Sequence, residues 1–156
     1  MSSVYQIRKA GITDLSQIIQ IEARVFPDPW TKAQLVFELK EQPTAFNRVA
    51  VYKGKVVAYL MSHVIYDVVH LNNLAVDLPV QGKGIGRLLM ESLFKSLADR
   101  QPVKIFLEVA ETNYQAIRFY QKFGFETIDS RKKYYYSGED ALVMVCKLET
   151  YGLVQA

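Results

Sequence analysis

The stretch VQGKGIGRLLMESL, Val80 to Leu93, constrains the fold more than any other part of the chain. Glycines stand at positions 82, 84 and 86, and a helical pattern begins directly after them, with Ile85, Leu88, Leu89, Leu93 and Leu97 on one face. A helix N-terminus carries unpaired N–H groups and the positive end of the peptide dipoles. Glycine lets the chain bend where other residues resist and lets a ligand touch bare backbone. The combination makes an anion cradle, and its usual guest is a phosphate. Two familiar phosphate loops do not fit. The dinucleotide pattern G-x-G-x-x-G puts its third glycine on Arg87, and the ATPase loop G-x-x-x-x-G-K-S/T, counted from Gly82, lands on Arg87 as well. The pattern that fits is Q-x-x-G-x-G, Gln81 to Gly86, after an apolar run ending LAVD.

The rest of the chain supplies the elements around this loop. VYQIRKA (4–10) reads as a strand. Thr13 and Asp14 offer N-caps to a helix with Leu15, Ile18, Ile19 and Ala23 at helical spacing. PDPW interrupts the chain, and Thr31 can cap a second helix through about Lys40. Two apolar runs flank a tight turn at Lys53-Gly54, a hairpin signal, and VVHLNNLAVD reads as a further strand. The helix after the glycines should run to about Arg100 and stop before Pro102. A strand VKIFLEV (103–109), a helix from Asn113 to Phe123 and a strand pair turning at Ser137-Gly138 close the chain, with KKYYY in the first strand of that pair. Strands followed by β–α–β–α–β predict an α/β protein, a mixed sheet with helices on both faces.

The chain has 156 residues, enough for one domain with a full core, and we expect a single domain over 1–156. A net charge of +3 without a long basic track argues against nucleic acid as a partner. One cysteine, Cys146, rules out an internal disulfide, reads as a small core residue and fits a reducing compartment. No apolar run reaches the roughly 20 residues of a membrane span, and the N-terminal stretch lacks a signal core, so the expectation is a cytoplasmic protein without membrane contact. His63 and His70 lie in strand-like runs, read as structural, and are too isolated to build a metal site.

NNLAVDLPVQGKGIGRLLMESL, LEVAETNYQAIRFYQKFGF and RKKYYYSGEDALVM together resemble the GCN5-related N-acetyltransferase (GNAT) superfamily. Within it the chain looks like the bacterial RimI-like enzymes that acetylate the N-terminal alanine of a ribosomal protein, and DPWT near residue 30 is similar to their PW-S/T element. The resemblance covers nearly the whole chain. It implies the GNAT fold, a mixed and mostly antiparallel sheet of about seven strands. It also implies acetyl-CoA as co-substrate and no metal. The backbone of Gly82, Lys83, Gly84, Ile85, Gly86 and Arg87 would hold the pyrophosphate, with Gln81 at the position where the family has Gln or Arg. The backbone of Leu74, Ala75 and Val76 would pair with the pantetheine arm as an added strand, while the side chains of Leu74 and Val76 read as core. Asn113 would cap its helix and also contact CoA.

Two residues stand out for chemistry. In VKIFLEV the apolar Val103, Ile105, Leu107 and Val109 share one face, leaving Glu108 on the other with Lys104 and Phe106. A carboxylate in so apolar a strand is either half of a structural ion pair or functional. The resemblance implies the general base, for which partial burial would raise its pKa. Tyr120 shares a helical stripe with Ala116 and Phe123, so it faces the core; the resemblance implies that it protonates the departing thiolate. Of Tyr134, Tyr135 and Tyr136, the first two are expected to line the acceptor groove. No persuasive Cys-His pair is present, which favours direct attack of the amine on the thioester. The acceptor implied is a protein N-terminus, with lysine, polyamine or another small amine as the alternative. A non-catalytic acyl-CoA-binding module is the rival from another class, and the assembly is expected to be a monomer or small homo-oligomer.

Overall fold

The computed structural model describes residues 4–98 and 104–148. Val103, Pro102 and Arg100, which carry expected element ends, lie outside the described residues. The elements in chain order are β1 (Gln6–Lys9), α1 (Leu15–Val25), α2 (Lys32–Val36), β2 (Ala45–Tyr52), β3 (Lys55–Ile65), β4 (Val68–Val76), α3 (Ile85–Leu97), β5 (Lys104–Ala110), α4 (Tyr114–Gln121), β6 (Glu126–Arg131) and β7 (Ala141–Lys147). The strand order is β1-β2-β3-β4-β5-β7-β6, a seven-stranded sheet. β4 and β5 run parallel, whereas β1/β2, β2/β3, β5/β7 and β6/β7 are antiparallel. This is the mixed α/β architecture that the element pattern and the resemblance imply. Packing divides the chain into two compact units, one running to His63 and resuming over Asn72–Leu93, the other made of Val64–Leu71 and the chain from Phe94 onward.

In the first unit, Lys53 and Gly54 both take positive φ, 48° and 79°, the two-residue turn that matches strand twist. Thr31 caps α2 as expected: its hydroxyl accepts from the Gln34 N–H, and the Gln34 side chain returns the bond to the Thr31 N–H. A π-helical turn, Phe37–Glu41, follows directly. Two expectations change. Asp14 does not cap α1; its carboxylate is buried and taken by the Arg8 guanidinium at 3.0 and 2.9 Å and by the Gly11 N–H at 2.8 Å. The buried stripe of α1 is Ile18, Ile21 and Glu22, while Ala23 is exposed, because Glu22 sits one turn on from Ile18 and finds donors beneath the helix. Ile18, Ile21, Leu35, Val49, Tyr59 and Met61 form the core, with Phe26 and Trp30 packed against it.

In the second unit, β5 alternates as expected, with Ile105, Leu107 and Val109 buried. Helix α4 starts behind Asn113, whose side chain accepts from the Ala116 N–H at 3.2 Å. It ends two residues before Phe123. There the Phe125 N–H reaches the Tyr120 carbonyl, the Gly124 N–H reaches the Gln121 carbonyl, and Gly124 takes φ 92°, a Schellman stop. Cys146 is buried in β7, its thiol donating to the Phe123 carbonyl; burial pushes its pKa up to about 11, in keeping with a core residue. The closing strand pair is shorter than expected. β6 ends at Arg131, and KKYYY lies in the loop that follows, because Asp140 takes the Lys133 N–H and the Lys132 ammonium and draws the chain out of the ladder. β6 stands at the edge of the sheet, exposed along its whole length and broken in register between Thr127 and Asp129.

Candidate active site

The first unit carries the glycine loop. β4 ends at Val76, and Asp77 caps a turn at Leu78–Val80 by accepting from the Leu78 N–H. Arg24 of α1 grips the same carboxylate with two bonds, at 2.9 and 2.8 Å, and holds Asp77 below the usual carboxylate range. The entrance to the loop is thereby tied to α1. Gly82 and Gly84 take φ of 80° and 82°, the left-handed region that a side chain resists. A Cβ on either would meet no heavy atom within 4 Å, so backbone conformation is what selects glycine at these two positions. The first intrahelical bond of α3 runs from the Leu88 N–H to the Gly84 carbonyl. The N–H groups of Ile85, Gly86 and Arg87 therefore have no partner within the helix. Lys83 and Arg87 are exposed, the latter 3.7 Å from Glu91 one turn on. Gln81 bonds its own strand instead, its Nε2 donating to the Val76 carbonyl at 2.9 Å. Of Leu74, Ala75 and Val76, only Ala75 is buried; Leu74 and Val76 are half-buried rather than core.

The second unit brings together the residues with acid–base chemistry. The Glu108 side chain is 8% exposed, and its Oε1 lies 2.8 Å from His70 Nε2. The parallel register sets His70 beside Phe106, two residues before Glu108, and the imidazole stacks on the Phe106 ring at 4.3 Å and 3°. Arg131 stands 3.9 Å from the other carboxylate oxygen. Burial and then the Glu108 charge push the Tyr134 phenol up, while burial, Tyr134 and Glu108 push Tyr135 up to about 12. Tyr120 is buried as the helical stripe predicts, packed edge-on against Phe119 and tilted against Phe125. Burial first and Tyr135 second push its pKa up, so it stays a phenol across the physiological range. Glu108, Tyr134, Tyr135 and Tyr120 thus sense one another in sequence, while Tyr136 turns outward. A buried carboxylate with an imidazole partner can take a proton, and a phenol held in its acid form can give one.

Three features escape the sequence reading. His70 is not an isolated strand histidine but the partner of Glu108, and only the β4/β5 register reveals this. His63 likewise has a carboxylate partner, Glu38 of the π-helical turn, at 2.5 Å. Glu22, 1% exposed, accepts from the Tyr59 hydroxyl, the Asn73 amide and the Trp30 N–H, joining α1, β3, β4 and the loop before α2. Its signal was legible as a charged residue inside an apolar helical stripe.

Comparison with known proteins fits this layout. The profile of the Acetyltransferase (GNAT) family matches residues 15–125. An N-alpha-acetyltransferase of Sulfolobus acidocaldarius is 36% identical, over 92% of this chain and 93% of its own. The ribosomal protein bS18-alanine N-acetyltransferase of Escherichia coli is 33% identical, over 85% of this chain and 90% of its own. The crystal structure of the ribosomal-protein alanine N-acetyltransferase from Escherichia coli superposes with a TM-score of 0.84 at 32% identity, covering 92% of this chain and 93% of that one. The glycine loop and the Glu108 strand sit in a chain that belongs to the Acetyltransferase (GNAT) family.

Proposed function

We propose that the protein is an acetyl-CoA-dependent N-alpha-acetyltransferase whose acceptor is a protein N-terminus, the N-terminal alanine of a small-subunit ribosomal protein being the candidate. Acetyl-CoA supplies the activated acetyl group as a thioester. The free N–H groups of Ile85, Gly86 and Arg87, reached through the turn at Gly82 and Gly84, bind the pyrophosphate, with Lys83 adding positive charge. The backbone of Leu74 to Val76 pairs with the pantetheine arm, and Gln81 shapes this stretch through its bond to the Val76 carbonyl. Asn113, whose side chain caps α4, contacts CoA as well.

The observation that carries the reading is the Glu108–His70 pair, a carboxylate shielded from water and hydrogen-bonded to an imidazole. Glu108 accepts the proton of the acceptor ammonium, and His70 orients the carboxylate and shares that proton. The neutral amine then attacks the thioester carbonyl, Tyr120 donates its phenolic proton to the sulfur as the C–S bond breaks, and the second proton shed by the attacking nitrogen passes through solvent to restore the Tyr120 phenol, leaving a neutral amide and a thiol. Tyr134 and Tyr135 orient the acceptor chain. The energetics suit an N-terminal amine. At pH 7 its deprotonation costs roughly 1–1.4 kcal/mol, against about 4.6 kcal/mol for lysine. The supporting relatives are named for N-alpha and alanine N-acetylation. Among the described residues no helix is long and apolar enough to cross a membrane; we place the enzyme in the cytoplasm as a monomer or small homo-oligomer without nucleic-acid partners.

Mass spectrometry of peptides with free or blocked N-termini, each carrying an internal lysine, tests the reading. Acetyl on the free α-amine, with Glu108→Gln lowering kcat about 10²-fold, is expected. Acetyl on lysine of the blocked peptides at a comparable rate would overturn it.

A further inference from the structure

The loop that carries the tyrosines runs between β6 and β7, outside the sheet ladder, so other bonds must place it. Most of its hydrogen bonds are its own. The Asp140 carboxylate takes the Lys133 N–H and the Lys132 ammonium, and at the base the Glu111 N–H reaches the Asp140 carbonyl. Farther along, the Gly138 N–H donates to the Tyr135 carbonyl and the Tyr135 N–H to the Glu139 carbonyl, with Gly138 turning the chain at φ 86°. These bonds shape the middle of the loop without setting where it stands. Among the described residues, the side-chain hydrogen bonds that leave the loop end on Glu139. Its Oε1 accepts from the Thr112 hydroxyl and, at 3.3 Å, from the Thr112 N–H. Thr112 lies in the connection from β5, which carries Glu108, to α4, which carries Tyr120.

From this arrangement we propose that Glu139 is a positioning residue for the acceptor, its bond to Thr112 latching the tyrosine loop to the head of α4 and holding Tyr135 in the site. The inference rests on the reading of Tyr134 and Tyr135 as acceptor contacts and adds what places them. The path is short. The Glu139 side chain grips Thr112, and the Glu139 carbonyl grips the Tyr135 N–H, so one residue joins the tyrosine to the helix start. A single carboxylate oxygen serves two donors there, a charge-assisted contact that an uncharged side chain makes less well. Tyr135 sits where the latch would put it: burial and then Tyr134, Glu108 and Glu139 push its phenol up to about 12, and it acts in turn on Tyr120. An open latch lets the loop sample positions in which the tyrosines miss the acceptor. Apparent affinity then falls by the fraction of loops still in place, while the groups that move protons stay where they are.

The test compares wild type, Glu139→Ala, Thr112→Val and the double variant on one N-terminal peptide. Either single change should raise the peptide KM about 5-fold or more, with kcat and the acetyl-CoA KM nearly unchanged. The double variant should be no worse than Glu139→Ala, since both changes open one latch. Glu139→Gln, which keeps the accepting oxygen, should recover most of the loss. A peptide KM that neither change moves, losses that multiply in the double variant, or a fall in kcat with the peptide KM unmoved overturns the proposal. If Glu139→Ala lacks a cooperative melt, Thr112→Val carries the comparison, because it keeps the Thr112 N–H and loses only the hydroxyl. Hydrogen exchange at Tyr135 and Gly138 reads the latch without turnover: both amides should exchange faster in either variant, and unchanged exchange also overturns it. Absence of α-acetylation by wild type would instead strike at the acetyltransferase reading, with exchange still deciding the latch.

Discussion

Replacing Glu22 with alanine should be among the most damaging single changes outside the apolar core. The carboxylate is 1% exposed and serves three donors: the Tyr59 hydroxyl, the Asn73 amide and the Trp30 N–H at 2.8 Å. Truncation strands all three. Each unsatisfied buried donor costs about 1–3 kcal/mol. Tyr59 is wholly buried and belongs at the upper end, whereas Asn73 and Trp30 are half-buried and water can reach them, so they belong at the lower. The sum is about 5 kcal/mol, a large share of the roughly 5–15 kcal/mol that holds a domain together. For a chain of this size that lowers Tm by roughly 10–20 °C. Glu22→Gln keeps the volume and one acceptor oxygen but turns an N–H toward a donor, so about half the loss is expected. Tyr59→Phe removes one donor only and should cost least. Thermal melts and urea titrations of the four proteins read the order directly. An Ala variant within about 2 °C of wild type would refute the claim that this carboxylate joins the elements around it.

Two further changes probe the chemistry and the charge pairing. Tyr120→Phe keeps the ring contacts with Phe119 and Phe125, so stability should hold while kcat falls 10-fold or more on the order expected for a lost general acid; a stable variant with full kcat removes the acid role. The Arg8 guanidinium holds Asp14 below the usual carboxylate range, so its stabilisation is present above the unfolded pKa of about 3.9 and is lost as pH falls through the lower folded value. The Tm gap between wild type and Arg8→Gln should therefore be full at pH 7 and close below about pH 4; a gap unchanged at pH 2 would show that charge pairing is not its source.

What could be read in advance was what local rules control. Alternation placed Glu108 opposite Ile105, Leu107 and Val109, and helical spacing buried Tyr120, because each depends on one element's own period. Thr31, Asn113 and Gly124 marked helix ends for the same reason, their partners lying within a few residues. Pairings that depend on register were out of reach. His70 meets Glu108 because β4 and β5 run parallel in one particular alignment, and a slip of one residue would turn the imidazole to the other face. Asp14 was misread because Arg8 of β1, six residues earlier, outcompetes the helix end for its carboxylate. The tyrosines were drawn into a strand by their propensity, whereas Asp140, placed by β7, folds that stretch into a loop.

The open side of β6 has a consequence for the protein at high concentration. A sheet border with unpaired N–H and C=O groups is a template on which another chain can grow a fibril. Here the border is six residues long, interrupted in register between Thr127 and Asp129, and lined with Glu126, Asp129 and Arg131 around a single large apolar side chain, Ile128. A strand approaching it would lose its ladder halfway along and bring charges together in a drying seam. The same kink and charges that make β6 look like a weak strand let the enzyme keep an exposed border without polymerising along it.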